Sequence, residues 1–97
     1  MHPMIIVRNT FTAKPGQAGK LAAHLKEVAG LGKLPDYRVL TDVTGEFNTV
    51  VLEYQLESVA AFEETMSRYM SDPAIRAKAA GYVDLWSTGS RQLLRVA

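Results

Sequence analysis

Cysteine is absent from this sequence of 97 residues, and histidine occurs only twice, as His2 and His24. Without cysteine, disulfide bonds, thiolate metal sites and thiol nucleophiles are excluded. The two histidines are separated by the whole first predicted strand, a spacing unlike that of zinc ligands, and haem has no obvious axial ligand. We therefore expect no metal site and no cofactor.

Neither sign of charge dominates, and long apolar runs are missing. Eleven basic and ten acidic side chains give a formal net charge of +1, which offers little attraction for nucleic acid or anionic lipid. The apolar run near the N-terminus is too short for a signal peptide, and no segment approaches transmembrane length. A G-x-S-x-G nucleophile elbow is also absent. The missing elbow argues against a serine nucleophile. The balanced charge and the short apolar runs predict a cytoplasmic protein that does not bind membranes.

The apolar pattern predicts a single domain over residues 1–97. Its predicted segments are a strand over 5–13, a helix over 18–29, strands over 37–44 and 47–56 with a tight turn at 45–46, a helix that starts after Ser58, restarts at Asp72-Pro73 and continues its apolar stripe to Trp86, and a strand over 92–96. This βαββαβ order, with right-handed crossovers, predicts an α+β ferredoxin-like fold. Its antiparallel sheet has the order 4-1-3-2 and carries both helices on one face.

The RNA-recognition motif has the same order of elements and requires a separate test. Its third strand presents alternating aromatic residues on which bases stack. Here the outward positions of that strand are Thr49, Val51 and Glu53, which offer no stacking platform and add a negative charge. We therefore predict no nucleic-acid binding.

Glu53 stands in the middle of a strand whose neighbours are apolar. Because side chains alternate along a strand, its helix-facing positions are apolar and Glu53 belongs to the opposite, helix-free face. Counting back from the predicted turn places Arg38 opposite Glu53. Matching the midpoints of the first and third strands places Arg8 opposite Glu53 as well. The sequence thus predicts an Arg8–Glu53–Arg38 cluster, with an ordinary solvent-exposed ion pair as the simpler interpretation.

The same helix-free face, called the open face below, also carries the apolar residues Ile6, Leu40 and Val51 and a leucine of the last strand. A single chain of this size has no further element to cover them. A second copy packed face to face would cover them and would enclose the charged cluster in a closed barrel. We therefore predict a homodimer formed through the open face, with a small-molecule cavity inside the barrel.

Three further side chains are candidates for a site on the basis of their chemistry. His24 lies at the margin of the first helix's apolar stripe, where it could carry a proton or simply form a local hydrogen bond. Tyr82 and Trp86 could form an apolar wall for a planar ligand, although aromatic residues at helical spacing usually belong to a core. Arginine suits a carboxylate or an enolate, so Arg8 and Arg38 are the expected ligand-binding cations.

Several stretches resemble the dimeric α+β barrel superfamily, in particular its NIPSNAP-type and antibiotic-biosynthesis-monooxygenase-type domains. These stretches are Gly45-Glu46-Phe47-Asn48-Thr49-Val50-Val51, Glu53-Tyr54, Ser58, Phe62, Ser71-Asp72-Pro73 and Leu93-Leu94-Arg95-Val96. The resemblance spans nearly the whole chain. It implies a homodimer with an internal cavity, often for an aromatic or hydrophobic small molecule.

Members of that superfamily include cofactor-independent monooxygenases, haem-degrading enzymes, isomerases and proteins without an assigned role. The haem-degrading relatives use an asparagine of the first strand with a tryptophan and a histidine of the second helix. Asn9 and Trp86 match the first two, but Asn9 has the helix-facing parity and no histidine follows His24. That particular activity is therefore not expected here.

Three functions fit these residues. The first is a small-molecule-binding dimer in which Arg8, Arg38 and Glu53 hold a polar group and Tyr82 or Trp86 forms an apolar wall. The second is a cofactor-free monooxygenase or isomerase for a phenol, quinol or enolisable substrate, with Arg38, Glu53 and His24 as the catalytic residues. The third is a structural or regulatory dimer without a ligand.

Overall fold

The computed structural model describes residues 4–97, so His2 lies outside the described part. The elements are strand β1 (Ile5–Ala13), helix α1 (Ala18–Leu31), strands β2 (Arg38–Thr41) and β3 (Thr49–Leu56), helices α2 (Val59–Ser71) and α3 (Pro73–Ala79), a short 3-10 helix (Tyr82–Leu85) and strand β4 (Trp86–Arg95). The four strands form one antiparallel sheet in the order β2-β3-β1-β4. This is the predicted 4-1-3-2 order read from the other edge, and the ferredoxin-like fold is confirmed.

The core lies between the sheet and the helices, as the alternation of apolar residues predicts. Buried side chains of β1 and β3 pack there against those of α1, and the largest fully buried ones are Val7, Leu21, Val50 and Tyr54. The next residue along each strand points to the open face. Among residues 4–97 no helix is both long and apolar enough to cross a membrane.

The break between α2 and α3 occurs where the sequence predicts it. The backbone of Asp72 is extended, and its carboxylate accepts hydrogen bonds from the N–H groups of Ala74 and Ile75 at 2.9 and 3.3 Å. Pro73 occupies the first turn, where its missing N–H costs nothing. Ser58 caps α2 in the same way, accepting from the N–H of Ala61 at 3.1 Å.

The predicted tight turn at Gly45-Glu46 is wrong, and β2 is shorter than expected. Residues 42–48 form an irregular loop in which Gly45 and Asn48 have positive φ angles of 100° and 64°. The Asp42 carboxylate accepts from the N–H of Thr49 at 3.1 Å and so replaces a ladder bond. The register is nevertheless the predicted one, with Arg38 paired to Glu53. The wider loop only shortens the two strands and does not slide one strand along the other.

The last strand is longer than predicted, beginning at Trp86 and not at Gln92. The helical stripe therefore ends early: α3 stops at Ala79, and Trp86 pairs with Ala13 instead of lying on a helix. The reason is tertiary, since the nine residues of β1 offer ladder hydrogen bonds along their whole length. Those bonds satisfy backbone groups that a continued helix would otherwise have satisfied.

Candidate functional site

The predicted Arg8–Glu53–Arg38 cluster forms on the open face. Both arginines pair directly with Glu53 in the sheet register. Arg8 donates from Nε to Oε2 of Glu53 at 2.8 Å, and Arg38 donates from Nε and Nη2 to Oε1 at 3.1 and 2.7 Å. One carboxylate on a central strand is thus held from both neighbouring strands.

The electrostatics of the cluster favour the ionised form of Glu53. Hydrogen bonds from Arg38 and Arg8 lower the pKa of Glu53, and they outweigh burial, which acts to raise it. The Glu53 side chain is 7% exposed, whereas those of Arg8 and Arg38 are 39% and 64% exposed. Because both carboxylate oxygens already accept charged hydrogen bonds, Glu53 is a weak proton acceptor near neutral pH.

A cavity of about 140 Å³ lies on the other side of the sheet, between the sheet and the helices. It is called the helix-side cavity below. Its walls are mostly apolar, with a few polar groups among them; they comprise Asn9, Phe11, His24, Leu25, Val28, Leu34, Leu52, Tyr54, Met66, Tyr69, Ala79, Tyr82 and Arg91. An apolar pocket with a few polar groups is the usual form of a small-molecule site.

His24 is part of the cavity wall, at the margin of the apolar face of α1. Its ring stacks on Tyr82 at 10° between ring planes and 6.3 Å between centroids. Its Nε2 atom is buried and has no hydrogen-bond partner among residues 4–97. A buried imidazole nitrogen without a partner is costly, so Nε2 is available to a molecule in the cavity.

Tyr82 and Trp86 belong to an aromatic cluster around Phe11. The Tyr82 and Trp86 rings lie 6.0 and 5.3 Å from the Phe11 ring, and 5.7 Å from each other. Trp86 lines a second cleft of about 210 Å³ that shares Asn9, Phe11, Tyr82 and Arg91 with the helix-side cavity. Trp86 therefore lines the second cleft, and Tyr82 lines both that cleft and the helix-side cavity.

The structure does not bring all the predicted site residues together. Arg8, Arg38 and Glu53 lie on the open face, whereas His24, Tyr82 and Trp86 lie on the helix side. The sheet separates the two groups, so the single site in which Tyr82 or Trp86 walls the arginine cluster does not form within one chain. The helix-side cavity likewise lies on the side of the sheet that carries His24 and Tyr82.

Arg91 is the main residue that the sequence analysis missed. It pairs with Asn9 in the β1–β4 register and donates from Nε to Oδ1 of Asn9 at 2.8 Å. The missed signal is the length of β4: once the strand begins at Trp86, Arg91 acquires the same helix-facing parity as Asn9. A strand that begins at Gln92 leaves Arg91 in a loop, with no defined direction.

Two tyrosines complete the polar lining of the cavity. Burial raises the pKa of Tyr54, although the Arg91 charge opposes this rise, and burial raises the pKa of Tyr69 to about 12. Tyr69 donates from its hydroxyl to the carbonyl of Val28 at 3.3 Å. Both phenols therefore stay neutral at physiological pH and add no charge to the cavity.

The fold and the cavity together define a small ferredoxin-like α+β domain with a partly open pocket between its sheet and its helices. A NIPSNAP family protein from Agrobacterium tumefaciens has a similar structure, with a TM-score of 0.86 and 14% identity over 100% of this chain and 89% of that one. An uncharacterised NIPSNAP-like domain protein from Burkholderia xenovorans matches with a TM-score of 0.83 and 16% identity over 97% and 85%.

A protein from Chloroflexus aurantiacus, provisionally assigned as an antibiotic biosynthesis monooxygenase, is also similar in structure. It matches with a TM-score of 0.68 and 21% identity over 94% of this chain and 92% of that one. No family model and no curated protein matches the sequence. The resemblance to NIPSNAP-type and monooxygenase-type domains is thus confirmed in the fold.

Proposed function

We propose that this chain binds one small, largely apolar molecule in the helix-side cavity. The observation that carries this proposal is the combination of an apolar lining with a buried, unpartnered Nε2 of His24. Cavities of about 150 Å³ hold a molecule the size of benzene, so a cavity of about 140 Å³ corresponds to a single ring. The solved relatives supply only the fold and no ligand.

Filling the cavity tests this proposal. Ala79 on α3 lines the cavity, whereas Ala77 on the same helix is exposed. We expect Ala79→Leu to weaken the binding of toluene by at least about tenfold, because the added carbons occupy the space of the ring. Ala77→Leu should bind toluene like the wild type. Binding is measured by chemical-shift titration of the amide resonances; no response of the wild type to toluene at saturation contradicts the proposal.

A homodimer formed through the open face is the second part of the proposal. Leu40 is 39% exposed, and Ile6, Val51 and Leu94 on the same face are half-buried. Contiguous apolar side chains on a sheet face are usually covered by a partner. A second copy is the natural partner, because a two-fold axis would place the same patch on both sides of the interface.

Val51→Lys tests the dimer, because it places a charge at the centre of the open face. Sedimentation equilibrium should show a dimer for the wild type and a monomer for Val51→Lys, since an unpaired buried charge is costly. Ala77→Lys adds the same charge on the exposed side of α3 and should remain dimeric. A wild-type monomer at micromolar concentration contradicts this part of the proposal and leaves the cavity unaffected.

Proton-transfer chemistry is a second candidate function, and the free Nε2 of His24 is the observation that favours it. A neutral imidazole in a pocket could accept a proton from a phenol, quinol or enolisable ligand, as in a cofactor-free isomerase or monooxygenase. We expect His24→Gln to abolish any turnover in assays of quinol oxidation or enol isomerisation while toluene binding persists. Equal turnover in His24→Gln and wild type contradicts this candidate.

A further inference from the structure

We infer that the ligand of the helix-side cavity is a carboxylic acid with a body of about one ring, whose carboxylate binds Arg91 at the cavity mouth. This inference rests on the proposed function, since it concerns the same cavity. It adds the chemical class of the ligand and the residue that selects it.

The guanidinium group of Arg91 is held in a defined position at the mouth. Its Nε donates to Oδ1 of the buried Asn9 at 2.8 Å, and its Cζ lies 5.5 Å from the centroid of the Phe62 ring on α2. A cation over an aromatic face gains electrostatic attraction. Arg91 is therefore fixed from β1 and from α2, unlike a surface arginine whose head moves freely in water.

The charge of Arg91 is not neutralised by the chain. Among residues 4–97 no carboxylate lies within ion-pair distance of Arg91, whereas Arg8 and Arg38 share Glu53. The residue that orients Arg91 is an asparagine, a neutral group that fixes the position without consuming the charge. Since Nε is the atom used by Asn9, the two terminal nitrogens are left for a ligand, and together they match the two oxygens of a carboxylate.

The position of this charge relative to the cavity sets the shape of the ligand. The interior is apolar, with side chains such as Phe11, Leu52 and Met66, and its volume is about 140 Å³. Arg91 is exposed on one side and lines the cavity on the other. A ring can thus lose its water inside the cavity while a carboxylate stays at the mouth on Arg91, where its desolvation cost is small.

Two probes of the same shape separate the acid from the apolar body. Benzoate and nitrobenzene are nearly isosteric, but only benzoate carries a negative charge. We expect the full chain to bind benzoate at least about tenfold more tightly than nitrobenzene, as charge-assisted hydrogen bonds to a carboxylate imply. Dissociation constants come from amide chemical-shift titrations at fixed ionic strength.

Two variants assign the preference to Arg91. Arg91→Gln should bring the affinity for benzoate down to that for nitrobenzene. Arg95→Gln is the matched control, because it removes the same charge from the same face of β4 without touching the cavity, and it should keep the preference. Asn9→Asp places a carboxylate beside Arg91, so it should weaken benzoate binding and leave nitrobenzene binding nearly unchanged. Circular dichroism verifies that each variant is folded.

The titrations with benzoate and nitrobenzene either support the role of Arg91 or contradict it. A tenfold preference that is lost in Arg91→Gln and kept in Arg95→Gln supports the inference. Equal binding of both probes, or a preference that persists in Arg91→Gln and Asn9→Asp, overturns it and leaves the small-molecule function standing. If neither probe binds at about 10 mM, roughly tenfold above a dissociation constant of about 1 mM, both the inference and the proposed function fail.

Discussion

The two faces of the sheet differ in whether their charged and polar groups have partners among the described residues. On the open face, Glu53 binds Arg8 and Arg38 through three hydrogen bonds. On the helix side, the charge of Arg91 has no carboxylate partner and Nε2 of His24 has no hydrogen bond among the described residues. Satisfied charges stabilise a structure, whereas unsatisfied ones are available to a ligand. This contrast is the basis on which we propose assembly through the open face and ligand binding on the helix side.

The burial of the two faces differs as much as their charges. Val50 faces the helices and is completely buried, while the adjacent Val51 faces outward and is half-buried. The helix side thus carries the free energy of folding of the chain itself. The open face contributes less, through its charge cluster and through half-buried side chains such as Val51.

The largest expected effect comes from this pair of neighbouring valines. Val50→Ala should lower the free energy of unfolding by about 2–3 kcal/mol, because it removes buried carbon and leaves a cavity. Val51→Ala should lower it by less than about 1 kcal/mol in the monomer, since water already reaches that site. Urea denaturation of both variants, at a protein concentration low enough to keep each of them monomeric, measures the difference. Equal losses would remove the distinction between the two faces.

A smaller effect is expected from removing the charge of Glu53. Glu53→Gln should lower the free energy of unfolding at pH 7 by about 1–2 kcal/mol, because the two arginines lose charged hydrogen bonds but stay partly hydrated. Glu27→Gln is the control: Glu27 also pairs with a cation, Lys78 at 2.6 Å, but both side chains are about half exposed. The control should change the stability little.

The pH dependence sharpens this prediction. The pKa of Glu53 is lowered from the ordinary value of 4.5 by Arg38 and Arg8. A carboxyl group with a lowered pKa in the folded state contributes its full stability above the unfolded pKa and loses it as the pH falls through the folded pKa. Between pH 7 and 5 the difference between wild type and Glu53→Gln should be constant, and below about 4.5 it should shrink. A difference that grows towards low pH would contradict the ion-pair assignment.

The smallest effect is expected at Arg91. Arg91→Gln should change the free energy of unfolding by less than about 0.5 kcal/mol, because Arg91 is exposed and neutralises no carboxylate, and a glutamine amide can still donate to Asn9. Arg95→Gln should likewise change the free energy of unfolding by less than about 0.5 kcal/mol. Thermal unfolding of the two variants at equal concentration measures this. A loss at Arg91 as large as that of Glu53→Gln would show that Arg91 holds the structure together and is not kept for a ligand.

Local pattern by itself determined the fold, the order of the strands and the open-face cluster. The alternation of apolar residues in β3 decides which side chains face the helices, and pairing by register then brings Arg8 and Arg38 to Glu53. Such pairs follow from counting, because neighbouring strands bring fixed positions together. The restart of the helix at Asp72-Pro73 was predictable for a similar reason, since a cap acts over three or four residues.

Only the tertiary structure decided where α3 ends, how far β4 extends and which residues enclose the cavity. Residues around Trp86 fit a helical stripe when read alone, and it is the length of β1 that makes them a strand. That extension turns Arg91 towards Asn9 and the helices. The helix-side cavity is formed by residues of seven elements that lie far apart in the sequence. Packing between layers, unlike pairing within a sheet, has no register that a linear pattern can reveal.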